Sequence, residues 1–348
     1  MKIAVVGAGF FGITAALKLS NAGHRVTLFD SKEDILSSAS RTNQLRLHRG
    51  YHYPRSEDTV KSLLESLPRF LDVYGDAAIE KYDHHYAIAS SNSYLSGDQY
   101  ISFLEKFGLE YEIVDKEMSI VNPKNIDILV KVKESLLDYH KIYEICRDLL
   151  LKSNVSLNLN KEFFYSDLEK YDKLVNCTYS SINKLTPWEQ KREYQFEVCE
   201  KICVEPTVKL NGSSLVVMDG PFMCIDPYGS TGKSLLGNVV HAIHSTNIGH
   251  NPIVPDHILP YLNRGILSAE EISNFSKFIN SGSEYISDLG QCKYVGSMFT
   301  VRAVLPYRDS SDERPTIVTA MNEKIINVFS GKIDTCVTAA DQILELLS

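Results

Sequence analysis

At 348 residues the chain is too long for one simple core and suits two intimately joined domains. A formal net charge of −8 argues against a nucleic-acid groove or an anionic-membrane surface as the main business. Seven scattered cysteines, an odd number with no C-x-x-C pair, exclude a disulfide scaffold and fit reduced thiols in a cytoplasm.

In chain order, Lys2 to Val6 is a short apolar run suited to a strand buried on both faces. Phe10 to Asn21 has helical spacing and stops before Gly23, and Arg25 to Phe29 is a second strand closed by Asp30. A polar, basic and aromatic loop follows over 37–56, then an amphipathic helix over 57–74. HHYAIAS predicts a strand, 98–107 a helix, and Ile128 to Val132 a strand. Tyr139 to Lys152 is helical, Val155 to Leu159 alternates like a strand, and YDKLVNCT (171–178) reads as another buried strand. Strands dominate 190–305, with one helical insert near 268–286. The end reads PTIVTAMN strand, KIINVFSG strand, and a helix from Asp334. No run of 18 apolar residues occurs, so no membrane span is expected.

The pattern G-x-G-x-x-G stands at Gly7, Ala8, Gly9, Phe10, Phe11 and Gly12. Its glycines provide a tight turn, close approach to a pyrophosphate, and close helix–strand packing. The helix that opens there points its amides and positive dipole end at the diphosphate. Asp30, with Ser31 after it, ends the second strand where an acid accepts hydrogen bonds from ribose hydroxyls. That context predicts dinucleotide binding but does not separate NAD from FAD.

Four segments resemble the D-amino-acid-oxidase-type (glycine oxidase-like) FAD-dependent oxidoreductase family. The βαβ unit is the first, and SSASRTNQLRLHRGYHYP is the second. YDKLVNCTYSSINKL is the third, with Cys177-Thr178-Tyr179 where the family has Ala-Thr-Gly. The fourth is the C-terminus from VRAVLP onward. The resemblance implies FAD, with cofactor roles for Ser38, Arg41, Thr42 and Asn43 in the second segment and for Thr178 in the third. It also implies roles for Gly331, Lys332, Ile333, Asp334 and Thr335, a turn and helix start beside the flavin. A helix N-terminus there stabilises the negative charge of reduced flavin.

At the reacting end, the resemblance sets Arg302 at the arginine that grips a substrate carboxylate, although Ala303 replaces the usual following proline. A guanidinium fork holds a carboxylate bidentately, and a structural salt bridge is the alternative for Arg302. HRGYHYP gathers His48, Tyr51, His52 and Tyr53, a segment the resemblance runs close to the flavin ring. His48 and His52 are candidate proton acceptors, with Tyr51 beside them; a merely packed aromatic loop is the alternative. Tyr228, His241 and His244 are candidates for lining the pocket. GSTGKS is not a phosphate loop, because Pro227 replaces the first glycine. His241 and His244, three apart, would fall on opposite faces of a strand, and no metal is expected.

Together these readings predict an α/β fold: a Rossmann-like FAD-binding domain interleaved with a mainly antiparallel β-sheet substrate domain. The FAD domain is expected over 1–80, 136–190 and 305–348, and the substrate domain over 81–135 and 191–304. The expected function is hydride transfer to flavin N5 from a C–H beside an amine or hydroxyl of a small anionic substrate. An amine, an amino acid or a sugar-derived molecule would serve, with oxygen or another electron acceptor. The competing readings are a non-redox flavoenzyme of the sugar-nucleotide mutase type and an NAD(P)-dependent dehydrogenase using only the Rossmann unit.

Overall fold

The computed structural model describes residues 1–118, 120–307 and 313–347. One sheet has six strands, in the order Ile317–Ala320, Ile325–Phe329, Lys173–Asn176, Lys2–Val6, Arg25–Phe29 and Ser156–Asn158. All neighbours in it are parallel except the first pair. Lys2–Val6 lies centrally, which explains why Ile3, Ala4 and Val5 are fully buried and why the run carries no polar alternation. The helices Phe10–Asn21 and Cys336–Glu345 pack together with Glu57–Tyr74 in one layer.

A second sheet is nine-stranded and mostly antiparallel, built from 83–89, 111–113, 126–132, 194–249 and Lys293–Val304. A three-stranded patch, Arg46–Leu47, Ser135–Leu137 and Ala78–Ile79, lies between the two. The mixed α/β architecture is the one expected from the alternating and buried strand patterns.

Several helix ends follow their capping residues. Asp138 accepts hydrogen bonds from the amides of His140 (3.0 Å) and Lys141 (3.2 Å) and starts Tyr139–Lys152. Ser96 and Gln99 form a reciprocal capping box at Gly97–Lys106. Three local expectations are corrected. The helical insert shrinks to Phe275–Gly282, because 258–273 packs as turns against the strand Lys293–Val304. The expected loop 37–56 contains the short strand Arg46–Leu47, paired with 135–136. His241 lies in the turn before the strand Ile243–Gly249, so the opposite-face argument for His241 and His244 does not apply. Among the described residues, no helix is long and apolar enough to cross a membrane.

Candidate active site

The glycine turn is built by contact. A Cβ on Gly12 would lie 1.7 Å from the Gly7 carbonyl oxygen, and one on Gly7 would lie 2.4 Å from the Cys177 carbonyl oxygen. Gly7 also has a φ of +104°, a region open to glycine. The third segment thereby packs directly beneath the first, with Thr178 held by its own loop: its Oγ1 donates to Asn176 Oδ1 at 2.7 Å. Gly9 is tight only against Ser40 Oγ, 2.9 Å from its would-be Cβ. Ser40 Oγ accepts the Phe10 amide at 3.3 Å, at the start of the helix Phe10–Asn21. Asp30 accepts the Ala8 amide at 2.7 Å and the Lys32 amide at 2.8 Å. Ser31 is exposed beside it, and Phe11 is buried in the core.

The segment 38–53 runs from this turn to the junction of the two large sheets. Asn43 spends its side chain on the loop: Nδ2 donates to Ala39 and Ser40 carbonyls, and Oδ1 accepts the Leu45 amide at 2.6 Å. The Ser38 carbonyl accepts the Arg41 and Thr42 amides. Arg41 lies over the Tyr139 ring at 5.4 Å and beside Tyr228, against Gly265. Tyr228 thus belongs with Arg41 rather than with the histidines. Buried side-chain atoms without a hydrogen-bond partner recur along this segment: Arg41 Nε, Thr42 Oγ1, Gln44 Oε1, His52 Nδ1 and Tyr53 OH. Such atoms cost free energy unless a bound group or water satisfies them.

The second and fourth segments meet here. Lys332 Nζ sits 4.5 Å over the Tyr53 ring, and the His48 and His52 rings lie 5.1 Å apart. Burial lowers Lys332 to about 8, against the pull of Asp334, and burial raises Asp334 to about 6. Asp334 and Thr335 are buried where the C-terminal helix begins, and Thr316 Oγ1 accepts the Gly331 amide at 2.9 Å. Ile333 packs against the main core. His48 is lowered to about 4 by burial and by Lys332, and His52 well below its ordinary value by burial and by His48. Both imidazoles are therefore neutral at neutral pH. Tyr51 is turned away: its hydroxyl donates to the Glu110 carbonyl at 2.7 Å and its ring packs near Tyr86.

Behind the histidines lies a buried ionic network that the sequence reading missed. Arg46 Nη1 donates to Glu134 Oε2 at 2.8 Å, and Nη2 donates to Ser214 Oγ at 2.9 Å and to Asp226. Tyr86 donates to Glu134 Oε2 at 2.8 Å, while His48 Nδ1 stands 3.5 Å from Glu134 Oε1. Burial pushes the Glu134 carboxyl up, but Arg46 and His48 outweigh it and hold it well below the usual carboxylate range. The network gathers residues 46, 134, 214 and 226, and no local spacing signals that meeting. Ser40 was legible only as one serine of a run.

Arg302 sits on the strand Lys293–Val304 directly opposite Glu197, and its Nε donates to Glu197 Oε2 at 2.6 Å. It is thereby charge-balanced by a buried carboxylate of its own sheet. His244 Nε2 is bonded to Glu200 at 2.9 Å, and His241 lies nearby, its carbonyl accepting from Asn274.

The glycine cradle, the helix N-terminus and the row of unpartnered polar atoms fit a group with a diphosphate at one end and a hydrogen-bonding ring at the other. Comparisons with known proteins agree. Residues 2–140 match the family model DAO, FAD dependent oxidoreductase. The FAD-dependent monooxygenase kojA of Aspergillus flavus is 24% identical, covering 100% of this chain and 86% of that protein. The FAD-dependent monooxygenase FPY4 of Fusarium mangiferae is 23% identical, covering 99% and 91%. The fold matches glycine oxidase from Geobacillus kaustophilus with a TM-score of 0.72, at 14% identity over 99% of this chain and 94% of that one. It also matches FAD-bound L-alpha-glycerophosphate oxidase from Mycoplasma pneumoniae with a TM-score of 0.73, at 13% identity over 99% and 94%. Residues 2–140 thus resemble the DAO-type FAD-dependent oxidoreductase domain, the chain is similar over its full length to FAD-dependent enzymes, and its cofactor is FAD.

Proposed function

We propose that the protein oxidises a small, anionic molecule at a C–H bond beside an amine or hydroxyl. When bound, FAD supplies the electron sink, accepting hydride at N5 and passing the electrons on to oxygen or another acceptor. The residues of this chain bind and orient. Gly7, Gly9 and Gly12 with the Phe10 and Phe11 amides and Ser40 would hold the diphosphate, and Asp30 the ribose. Thr42 and Tyr53, with the turn 331–335, would border the ring, where Lys332 and the helix start favour negative charge.

His48 is the candidate for moving a proton. Glu134 Oε1 beside Nδ1 selects the tautomer that carries its proton there, leaving Nε2 to accept one. The single observation that carries this reading is the meeting of the 41–53 segment, with its unpartnered polar atoms, and the Lys332 turn. The experiment is anaerobic mixing of the FAD-loaded protein with panels of amino acids, amines and hydroxy acids. Bleaching of the flavin spectrum by a member with an anionic group supports the reading. Catalysis that needs reduced flavin without net electron transfer would replace it with the mutase type. A second reading, oxygen insertion, is favoured by the names of the Aspergillus and Fusarium relatives. Product carrying label from isotopic oxygen gas would select it.

A further inference from the structure

The large sheet presents one face to the nucleotide-binding half. In the strand Tyr194–Glu205, alternate residues Glu197, Cys199, Lys201 and Cys203 share that face. Cys203 packs with Leu235 and Met298 in the core that also contains the βαβ unit, which fixes the face's direction. Two cations stand on it. Arg302, opposite Glu197, is neutralised by that carboxylate. Four residues along, Lys201 lies opposite Met298, and among the described residues its Nζ makes no ion pair and no hydrogen bond.

Lys201 Nζ is not pointed at bulk solvent alone. It reaches a spot 2.9 Å from the would-be Cβ of Gly237, where Gln44 Oε1 also lies at 2.9 Å and Cys224 Sγ at 2.7 Å. Gln44 belongs to the segment that borders the candidate cofactor site, and its Nε2 is fixed on the Leu235 carbonyl at 3.0 Å. That bond leaves Oε1 as a buried acceptor with no donor. Glycine at 237 lets the cation and the acceptor gather at one point of the sheet.

We propose that Lys201 with Gln44 Oε1 is the substrate-selecting pair, Lys201 taking an anionic oxygen and Gln44 a neighbouring hydroxyl or amine proton. The inference rests on the FAD-dependent oxidation proposed above and assigns its anion recognition to Lys201 in place of Arg302. The matching ligand class is a small 2-hydroxy or 2-amino acid, or another molecule with an oxyanion beside an O–H or N–H. A charge-assisted bond of this kind accounts for about ten- to a hundredfold in affinity.

The test uses FAD-loaded protein, without oxygen, titrated with acetate and with glycolate. Binding is followed by the flavin spectrum and independently by calorimetry. Glycolate should bind saturably and more tightly than acetate, because only it has a proton for Gln44. Lys201→Met should weaken glycolate by about ten- to a hundredfold, while Lys201→Arg and Arg302→Met each stay within about threefold of the parent. Should Lys201→Met fail to fold, Lys201→Gln is compared with Lys201→Arg at equal flavin content. The proposal is overturned if the parent binds neither anion, if removing the Lys201 charge changes nothing, or if Arg302→Met carries the loss. Glycolate and the other 2-hydroxy and 2-amino acids binding through Lys201 by calorimetry while none of them bleaches the flavin would overturn the oxidation proposed above and keep this site.

Discussion

Arg46→Met tests the buried network that ties the candidate site together. Arg46 stands between Glu134 and Asp226, with side-chain exposures of 2%, 0% and 0%. Removing the guanidinium leaves two carboxylates in a dry site without their counter-charge, and also strips Ser214 of a donor. Breaking a buried pair in this way costs about 3–5 kcal/mol. With an unfolding entropy of about 2.1 cal/mol/K per residue, the 348 residues convert that cost to a fall in Tm of about 4–7 °C. The assay is thermal unfolding followed by circular dichroism on flavin-saturated protein. The triple variant Arg46→Met, Glu134→Gln, Asp226→Asn removes the stranded charges and should recover at least half of the loss. A single-variant shift below about 1 °C, or a triple variant less stable than the single, would show that Arg46 does not hold the two carboxylates in place.

Gly9→Ala should fold, because its Cβ meets only the tip of the Ser40 side chain, yet lower flavin occupancy of the purified protein; unchanged occupancy would move the diphosphate elsewhere. Gly12→Ala sets a Cβ against main-chain oxygen and should give little folded protein, measured as soluble yield. Stability should rise with pH between about 4 and 6.5. His48 and His84 titrate near 4 when buried against 6.5 ordinarily, and His52 lies well below its ordinary value. The unfolded chain therefore binds more protons in that window. Asp334, raised from 3.8 to about 6 by burial, acts oppositely, its contribution fading as pH climbs through 6, and is outnumbered. Melting curves at pH 4 and 6.5 check this, and His84→Phe should flatten the slope; a Tm higher at pH 4 would contradict it.

What could be read from the sequence followed from local rules. The βαβ unit was legible because a strand, a glycine turn and a helix start lie within one short stretch, and Tyr139–Lys152 because its cap and period agree. Residues 41–53 and 331–335 were legible only through family likeness. Their meeting at Tyr53 and Lys332 is tertiary. Asp226 and Lys201 were not legible, since a charged residue in a strand looks the same whether its face meets water or another domain, and Glu134, in the link between the strands Ile126–Val132 and Ser135–Leu137, carries no local signal. Arg302 was a substrate-binding candidate through family likeness, with a structural salt bridge as the alternative, and Tyr51 through its place in HRGYHYP. Their partners Glu197 and the Glu110 carbonyl are supplied by distant parts of the chain.

The most direct measurement is the visible absorption spectrum of the purified protein before and after an anaerobic anionic amino or hydroxy acid is added. The expected result is a flavin spectrum, a heat-released chromophore identified as FAD, and bleaching of the visible band by at least one such compound. A flavin that no member of the panel reduces would contradict the proposed oxidation, and a colourless protein that fails to take up FAD would contradict the cofactor site itself.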